Sequence, residues 1–210
     1  MFRTLTLTLI ILTFLTGAAL AAPGFDGPTG LFTVPTAEVV GTGDFSFGVN
    51  YRDINDGIVA GVINYGAVNR LEAGIAFFDP ENGESSTWVN AKYLLLGASS
   101  VTPAVALGVK NLTSARDVNA EFYAVATQPI ALAKATLTAG LALSGSDSRL
   151  IAGATVPVFP RIQAVVEQNE DINLGLRFQA PLIPLNIDLA VFDLLDDKDL
   201  GVSAGYTLRF

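Results

Sequence analysis

Nine cationic side chains recur at one phase of an alternating pattern: Arg52, Arg70, Lys92, Lys110, Lys134, Arg149, Arg161, Arg177 and Arg209. Each lies at or near the polar face of a short segment in which apolar and polar residues take turns. They are most of the chain's 12 Lys and Arg residues, so the clustering says where its positive charge resides. Collected on the inside of a closed sheet, such a face binds anions, acidic sugars included, and arginines grip carboxylates in a two-pronged fork. Arg52, Arg70, Lys92, Lys110, Arg149, Arg161, Arg177 and Arg209 form the expected lumen-lining contact set. The acids expected to share that face, Glu72, Glu121, Glu167 and Asp188, are fewer. A second reading stays open, in which these charges pair across strands and fill the lumen with a polar network.

Catalysis has little to work with. The chain contains no histidine and no cysteine, which removes a Ser-His-Asp triad, a Cys-His pair and any His-ligated zinc. A carboxylate pair such as Glu72 with Glu121 is conceivable, but nothing in the sequence joins the two. Gly145-Ser146-Asp147-Ser148 has no helix behind it and forms no phosphate cradle. Asp193, Asp196, Asp197 and Asp199 are the densest acidic cluster. They read either as a divalent-cation site bridging lipopolysaccharide phosphates or as a solvated, self-repelling loop, and the Gly and closing Glu of an EF-hand are missing. We expect a non-enzyme with no cofactor and no metal. A net charge of −8 argues against nucleic acid as a partner.

The elements that must position these charges are strands. Half the residues are hydrophobic, 15% are charged and the mean hydropathy is +0.47, yet after the first twenty-two residues no run approaches the ~20 apolar residues of a spanning helix. The opening 1–22 has a basic start at Arg3, an apolar Leu5–Leu15 and a small-x-small site at Ala19-Leu20-Ala21, the pattern of a cleaved secretory signal. From residue 44 onward, twelve alternating segments are predicted, at 44–52, 58–65, 70–78, 87–95, 103–110, 119–127, 134–143, 149–156, 161–168, 172–179, 185–192 and 200–210. Phe45, Phe47, Val49 and Tyr51 alternate with Ser46, Gly48, Asn50 and Arg52. Leu137, Ala139, Leu141 and Leu143 alternate with Thr136, Thr138 and Gly140. The segments 58–65 and 119–127 lack a clean polar face. Strands of this length suit a tilted membrane crossing, and the expected fold is all-β, a single antiparallel up-and-down transmembrane β-barrel of about 12 strands. A soluble sandwich or barrel also alternates, but a soluble barrel of twelve strands is too wide for its own side chains to fill.

The loops sort by charge. Segments 53–57, 79–86, 111–118, 144–148, 169–171 and 193–199 hold thirteen of the 20 Asp and Glu residues. The intervening turns 66–69, 97–102, 128–133, 157–160 and 181–184 hold none. With both ends of an even-stranded barrel in the periplasm, the acidic loops face outward. Residues 23–43, with three prolines and no sustained alternation, read either as a luminal plug or as a short first strand or loose tail. Gly48, Gly74, Ala106, Gly108, Gly140, Gly153, Gly175 and Gly205 would make room for a plug. Trp88 reads as an interfacial anchor or as luminal packing.

The stretch GLFTVPTAEVVGTGDFSFGVNYRD, with Gly30, Leu31, Pro35, Thr36 and Ala37, then Gly43 and Phe45, resembles the opening motif of the YjbH-like family of outer-membrane barrels. Leu71-Glu72-Ala73-Gly74, Ala106-Leu107-Gly108-Val109-Lys110 and Phe122-Tyr123-Ala124-Val125-Ala126 are similar to that family's inner strands. The resemblance implies an outer-membrane barrel associated with exopolysaccharide secretion and without catalytic residues. The chain lacks the lipobox cysteine of lipoprotein members and is shorter than members with extra domains. A small passive pore for anionic solutes and a soluble periplasmic binding module are the alternatives. Expected partners are outer-membrane lipid and lipopolysaccharide, the barrel-assembly machinery through the last strand ending at Phe210, and polysaccharide.

Overall fold

The computed structural model describes residues 22–54, 57–115 and 118–210. The expected signal peptide lies outside these residues except for Ala22, which is buried together with the segment that follows it. Twelve strands are formed: β1 (Phe45–Arg52), β2 (Ile58–Val68), β3 (Leu71–Pro80), β4 (Ser86–Leu96), β5 (Ala104–Lys110), β6 (Glu121–Ile130), β7 (Ala135–Ser144), β8 (Asp147–Phe159), β9 (Ile162–Gln168), β10 (Ile172–Gln179), β11 (Leu185–Phe192) and β12 (Asp199–Leu208). Each pairs antiparallel with the next, and β12 returns to β1 to close the barrel. The closing seam runs in register from Phe45 opposite Leu208 to Arg52 opposite Gly201. Closure leaves no unpaired edge, so every strand amide in the seam has a partner inside the sheet.

The two faces follow the alternation. Val49 is 64% exposed and Leu141 is 52% exposed on the outside, whereas Ser46 and Asn50 are buried inside. Ile63, Ile75, Phe77, Leu176 and Leu189 join the outer apolar belt. Phe45, Leu141 and Leu176 thus lie on the outer surface, not in a dry centre.

The barrel has a loop end and a turn end. Three hairpins at the turn end (β2–β3, β6–β7 and β8–β9) are tight, and their cations sit in left-handed backbone: Arg70 at φ 70°, Lys134 at φ 51° and Arg161 at φ 71°. Several strand limits differ from expectation because the hairpins pair further than the alternation reaches. Pro157 and Phe159 belong to β8, not to a turn, and only Gly145 and Ser146 separate β7 from β8.

Residues 22–43 run through the lumen. Phe25, Leu31, Phe32, Val34 and Ala37 are buried in one cluster with Tyr123, Val125, Ile151, Val165 and Phe192 of the wall. The plug reading of this segment is therefore the one the fold adopts. It also explains the two poorly alternating strands: β2 and β6 turn Val62, Tyr123 and Val125 inward, where a polar residue was expected. At the turn end the segment is fixed to the rim, since Gly43 N donates to Gly66 O at 2.8 Å and Gly66 N donates to Asp44 O at 3.1 Å. A Cβ on Gly66 would run into Gly41 O, so this junction requires glycine.

An arginine at the lipid-facing midpoint of β7 tests the sidedness. Leu141→Arg is expected to cost about 2–4 kcal/mol in reversible unfolding from lipid vesicles, whereas Leu143→Arg, nearer the loop end, costs less.

Candidate functional site: a side-chain cage around a luminal segment

Residues 22–43 form no regular element beyond the isolated bridges Pro23–Thr29, Gly30–Pro35 and Thr42–Gly66. Their amides and carbonyls need partners in a space with little water, and inward side chains of the wall supply them. Glu167 on β9 is the densest hub. Its carboxylate accepts from Phe32 N at 2.9 Å, Val34 N at 3.1 Å, Thr33 N at 2.9 Å and the Thr33 hydroxyl at 2.7 Å. Asn173 on β10 donates to the same group at 2.8 Å and holds it in place.

Glu72 on β3 repeats the arrangement further along the segment. It accepts from Thr29 N at 3.0 Å, the Thr29 hydroxyl at 2.6 Å and Val40 N at 3.0 Å. Lys92, on the neighbouring β4, donates to Thr29 O at 2.7 Å and lies 3.5 Å from Glu72. Charge-assisted bonds of this kind are the stronger class, and here they are buried.

Carbonyls are held by cations and amides. Arg177 on β10 donates to Gly30 O at 3.0 Å and Leu31 O at 2.8 Å, while its fork pairs with Asp188 of β11 at 2.8 Å through both oxygens. Lys110 on β5 donates to Thr33 O at 3.0 Å and lies 3.2 Å from Glu121 and 3.5 Å from Asp26. Arg149 on β8 pairs with Glu121 and donates to Asn169 at 2.8 Å. Asn50, Asn64 and Asn90 reach Phe25 O, Gly27 O and Asp26 O.

This arrangement corrects the expected cationic lining. Arg70, Arg161 and Arg209, with Lys134, are exposed at the turn end and line nothing: Arg70, Lys134 and Arg161 end hairpins in left-handed backbone that turns them to solvent, and Arg209 lies past the end of β12. Arg70 bonds Leu95 O there at 3.1 Å. Arg52, Lys92, Lys110, Arg149 and Arg177 do face inward. Against these five stand Glu72, Glu121, Glu167 and Asp188 of the wall and Asp26 and Glu38 of the segment, so the interior carries no cationic excess. Arg52 pairs with Asp199 at 3.7 Å and stacks 4.0 Å from the Phe192 ring centre. Of the glycines, Gly48 and Gly205 face Pro23, Gly153 faces Leu31 and Gly175 faces Phe32, whereas Gly108 and Gly140 accommodate the wall's own Tyr123 and Val125.

Sequence reasoning missed the asparagines; of its two readings of Trp88, luminal packing is the one the fold adopts. Asn50, Asn64 and Asn90 occupy polar phases of β1, β2 and β4, as serine or threonine does elsewhere, so residue type carried no distinguishing signal. Trp88 faces the lumen and packs on Phe78, with ring centres 4.6 Å apart. Among the described residues no group of His, Cys, Asp and Glu could hold a metal ion.

Two outcomes follow for the cage. Glu167→Ala leaves three buried amides without an acceptor. A loss of about 3 kcal/mol is expected, read as roughly 100-fold faster hydrogen exchange at Phe32, Thr33 and Val34. The Glu38 carboxyl is raised above its ordinary value by burial, against the opposing pull of Lys92 and Arg177. A carboxyl raised in the docked state holds its proton more tightly when docked, so docking is strongest below the ordinary value of about 4.5 and weakens as pH rises through the raised one. Glu38→Gln should remove that dependence from the exchange rates of residues 36–40.

No protein-family model and no curated protein sequence matches the chain. Among solved structures, it is similar to a KdgM porin solved in complex with disordered oligogalacturonate, at 12% identity and a TM-score of 0.58, over 80% of this chain and 99% of that one. The N-terminal β-barrel domain of Pseudomonas aeruginosa OprF also matches, at 9% identity and a TM-score of 0.29 over 80% of this chain and 99% of that one. The chain has the fold of an outer-membrane porin barrel, with its lumen occupied by its own residues 22–43.

Proposed function

We propose that this protein is a plugged outer-membrane barrel, a structural or accessory component of envelope polysaccharide export and not an open channel or an enzyme. The observation that carries this is the luminal segment, whose backbone is held from several sides of the wall by Glu72, Glu167, Lys92, Lys110 and Arg177. Those charges are satisfied by the segment and by one another, so they are not free to conduct a solute. The resemblance of residues 30–53 to the YjbH-like opening motif supports the polysaccharide role. In this reading residues 1–22 are the export signal. The acidic loop end faces outward towards lipopolysaccharide, and β12 with Phe210 is the segment read by the barrel-assembly machinery.

A passive pore for anionic solutes is the second reading, and the porin solved with oligogalacturonate, an acidic sugar chain, favours it. Two features oppose it here. The interior has no surplus of cations. The outer loops carry most of the acids, which repel a polyanion at the entrance. A soluble periplasmic module is disfavoured by the apolar outer belt.

Conductance of the purified protein in planar bilayers decides between the first two readings. We expect silence from the wild type and stable openings when Glu72→Ala and Glu167→Ala are combined. Anion-selective openings in the wild type, reduced by Arg149→Ala, would overturn the plugged reading in favour of the pore.

A further inference from the structure

Pro23 fixes the start of the luminal segment against the closing seam. Its Cδ lies against Gly205 of β12 and its Cβ against Gly48 of β1, so the ring spans the seam with its nitrogen on the β12 side. Gly24 continues towards β1, where its carbonyl accepts from Asn50 at 3.5 Å. Ala22 therefore lies on the opposite side, towards β11. Its carbonyl accepts from Gly30 N at 2.9 Å, and Gly30 O is held in turn by Arg177 of β10 at 3.0 Å. These contacts bracket Ala22 between β12 and β10, in front of β11.

At that level β11 turns Asn186 inward, directly opposite Gly205 in the pairing, and Thr207 follows Gly205 on the inner face of β12. Asn186 is 2% exposed and Thr207 is 5% exposed. Asn186 Oδ1 and Nδ2 and Thr207 Oγ1 have no hydrogen-bond partner among the described residues. Unpaired groups of this kind are costly. They are shut off from solvent, so no diffusing ligand meets them; a group of the chain itself can.

We propose that a signal peptidase cuts the chain between Ala21 and Ala22, and that the amino group released on Ala22 is seated inside the barrel against Asn186 and Thr207. Water adds across the peptide bond, leaving a carboxylate on Ala21 with the leader and an ammonium on Ala22. Ala19-Leu20-Ala21 supplies the small-x-small site for that cut. A cut one residue later would remove the carbonyl that Gly30 N uses. An ammonium brings donors where Asn186 Oδ1 and Thr207 Oγ1 are acceptors without one. The acids inside the barrel outnumber its cations, so a further positive charge is balanced there. Because Ala22 lies inside the lumen, the cut precedes docking, and only the processed chain seats its segment in this way. The inference rests on the plugged reading, since Ala22 is the first residue of the luminal segment.

Protein from cells expressing the full chain is purified from outer membranes in detergent, and its intact mass is measured. The expected mature chain begins at Ala22. It is then treated near neutral pH with the N-hydroxysuccinimide ester of acetic acid, and acetylated amines are located by peptide mass spectrometry. The lysines calibrate the reaction, since Lys134 and Lys198 are exposed whereas Lys92 and Lys110 are buried. A terminal amine in solvent outpaces an exposed lysine, because it gives up its proton more readily. The expected result is protection, with the Ala22 amine acetylated roughly 100-fold more slowly than in the chain unfolded in urea. Asn186→Leu should speed that acetylation roughly tenfold. Thr207→Val, which keeps the shape of the side chain, should do the same and stands in if the first variant fails to fold. A mature chain that begins elsewhere, a terminal amine acetylated as fast as Lys134, or protection unchanged by either variant overturns the proposal. Rapid acetylation with slow hydrogen exchange kept at Phe32, Thr33 and Val34 removes the seat and leaves the plugged barrel standing. Rapid exchange at those amides as well removes the plugged barrel itself.

Discussion

A backbone that is neither helix nor strand can persist inside a closed barrel only if side chains take the place of its missing hydrogen-bond partners. That requirement organises this molecule. Glu167 gathers three successive amides, Phe32 to Val34, as a bound anion gathers the donors of a nest. Glu72 does the same for Thr29 and Val40, which are distant in sequence, and so folds the segment back on itself. Arg177 answers the two carbonyls between them. Removing either carboxylate uncovers several groups at once, so the segment stands or falls as a unit.

The width of a twelve-strand barrel makes such a filling necessary. Its own inward side chains leave a gap, and the gap is closed in two different ways around the circumference. Towards β5–β9 and β11 it is an apolar core, where Phe32 meets Phe25 and Phe192 edge-on at 6.2 and 6.0 Å. Towards β3, β4 and β10 it is a charged lattice centred on Glu72, Lys92 and Arg177. The apolar part supplies burial without direction, and the charged part fixes the path of the backbone.

The closed all-β architecture was legible in the sequence because lipid on one side and a filled lumen on the other impose a two-residue period on nearly every strand. The period failed to show at β2 and β6, where apolar residues face both ways: Val62 and Tyr123 meet the interior while Ile63 and Phe122 meet lipid. The inward cations were legible where they lie within a strand, as Lys92 and Arg177 do, or at its loop end, as Arg52 and Lys110 do. Arg70, Lys134, Arg161 and Arg209 share the polar phase of their segments, but phase alone does not tell a strand position from the turn beside it. The partners of Lys92 or Arg177 were out of reach of any pattern, since Thr29 and Leu31 lie in a stretch with no period.

The junction at Gly41–Gly43 and Gly66 has one more consequence. Because the segment passes straight into β1 at that rim, displacing it cannot release it; it stays leashed a few residues from its seat. Re-entry is then a first-order event, governed by a local concentration on the order of millimolar for a short flexible leash, whatever the abundance of the protein. The same peptide supplied as a separate molecule would have to be present at about that level to compete.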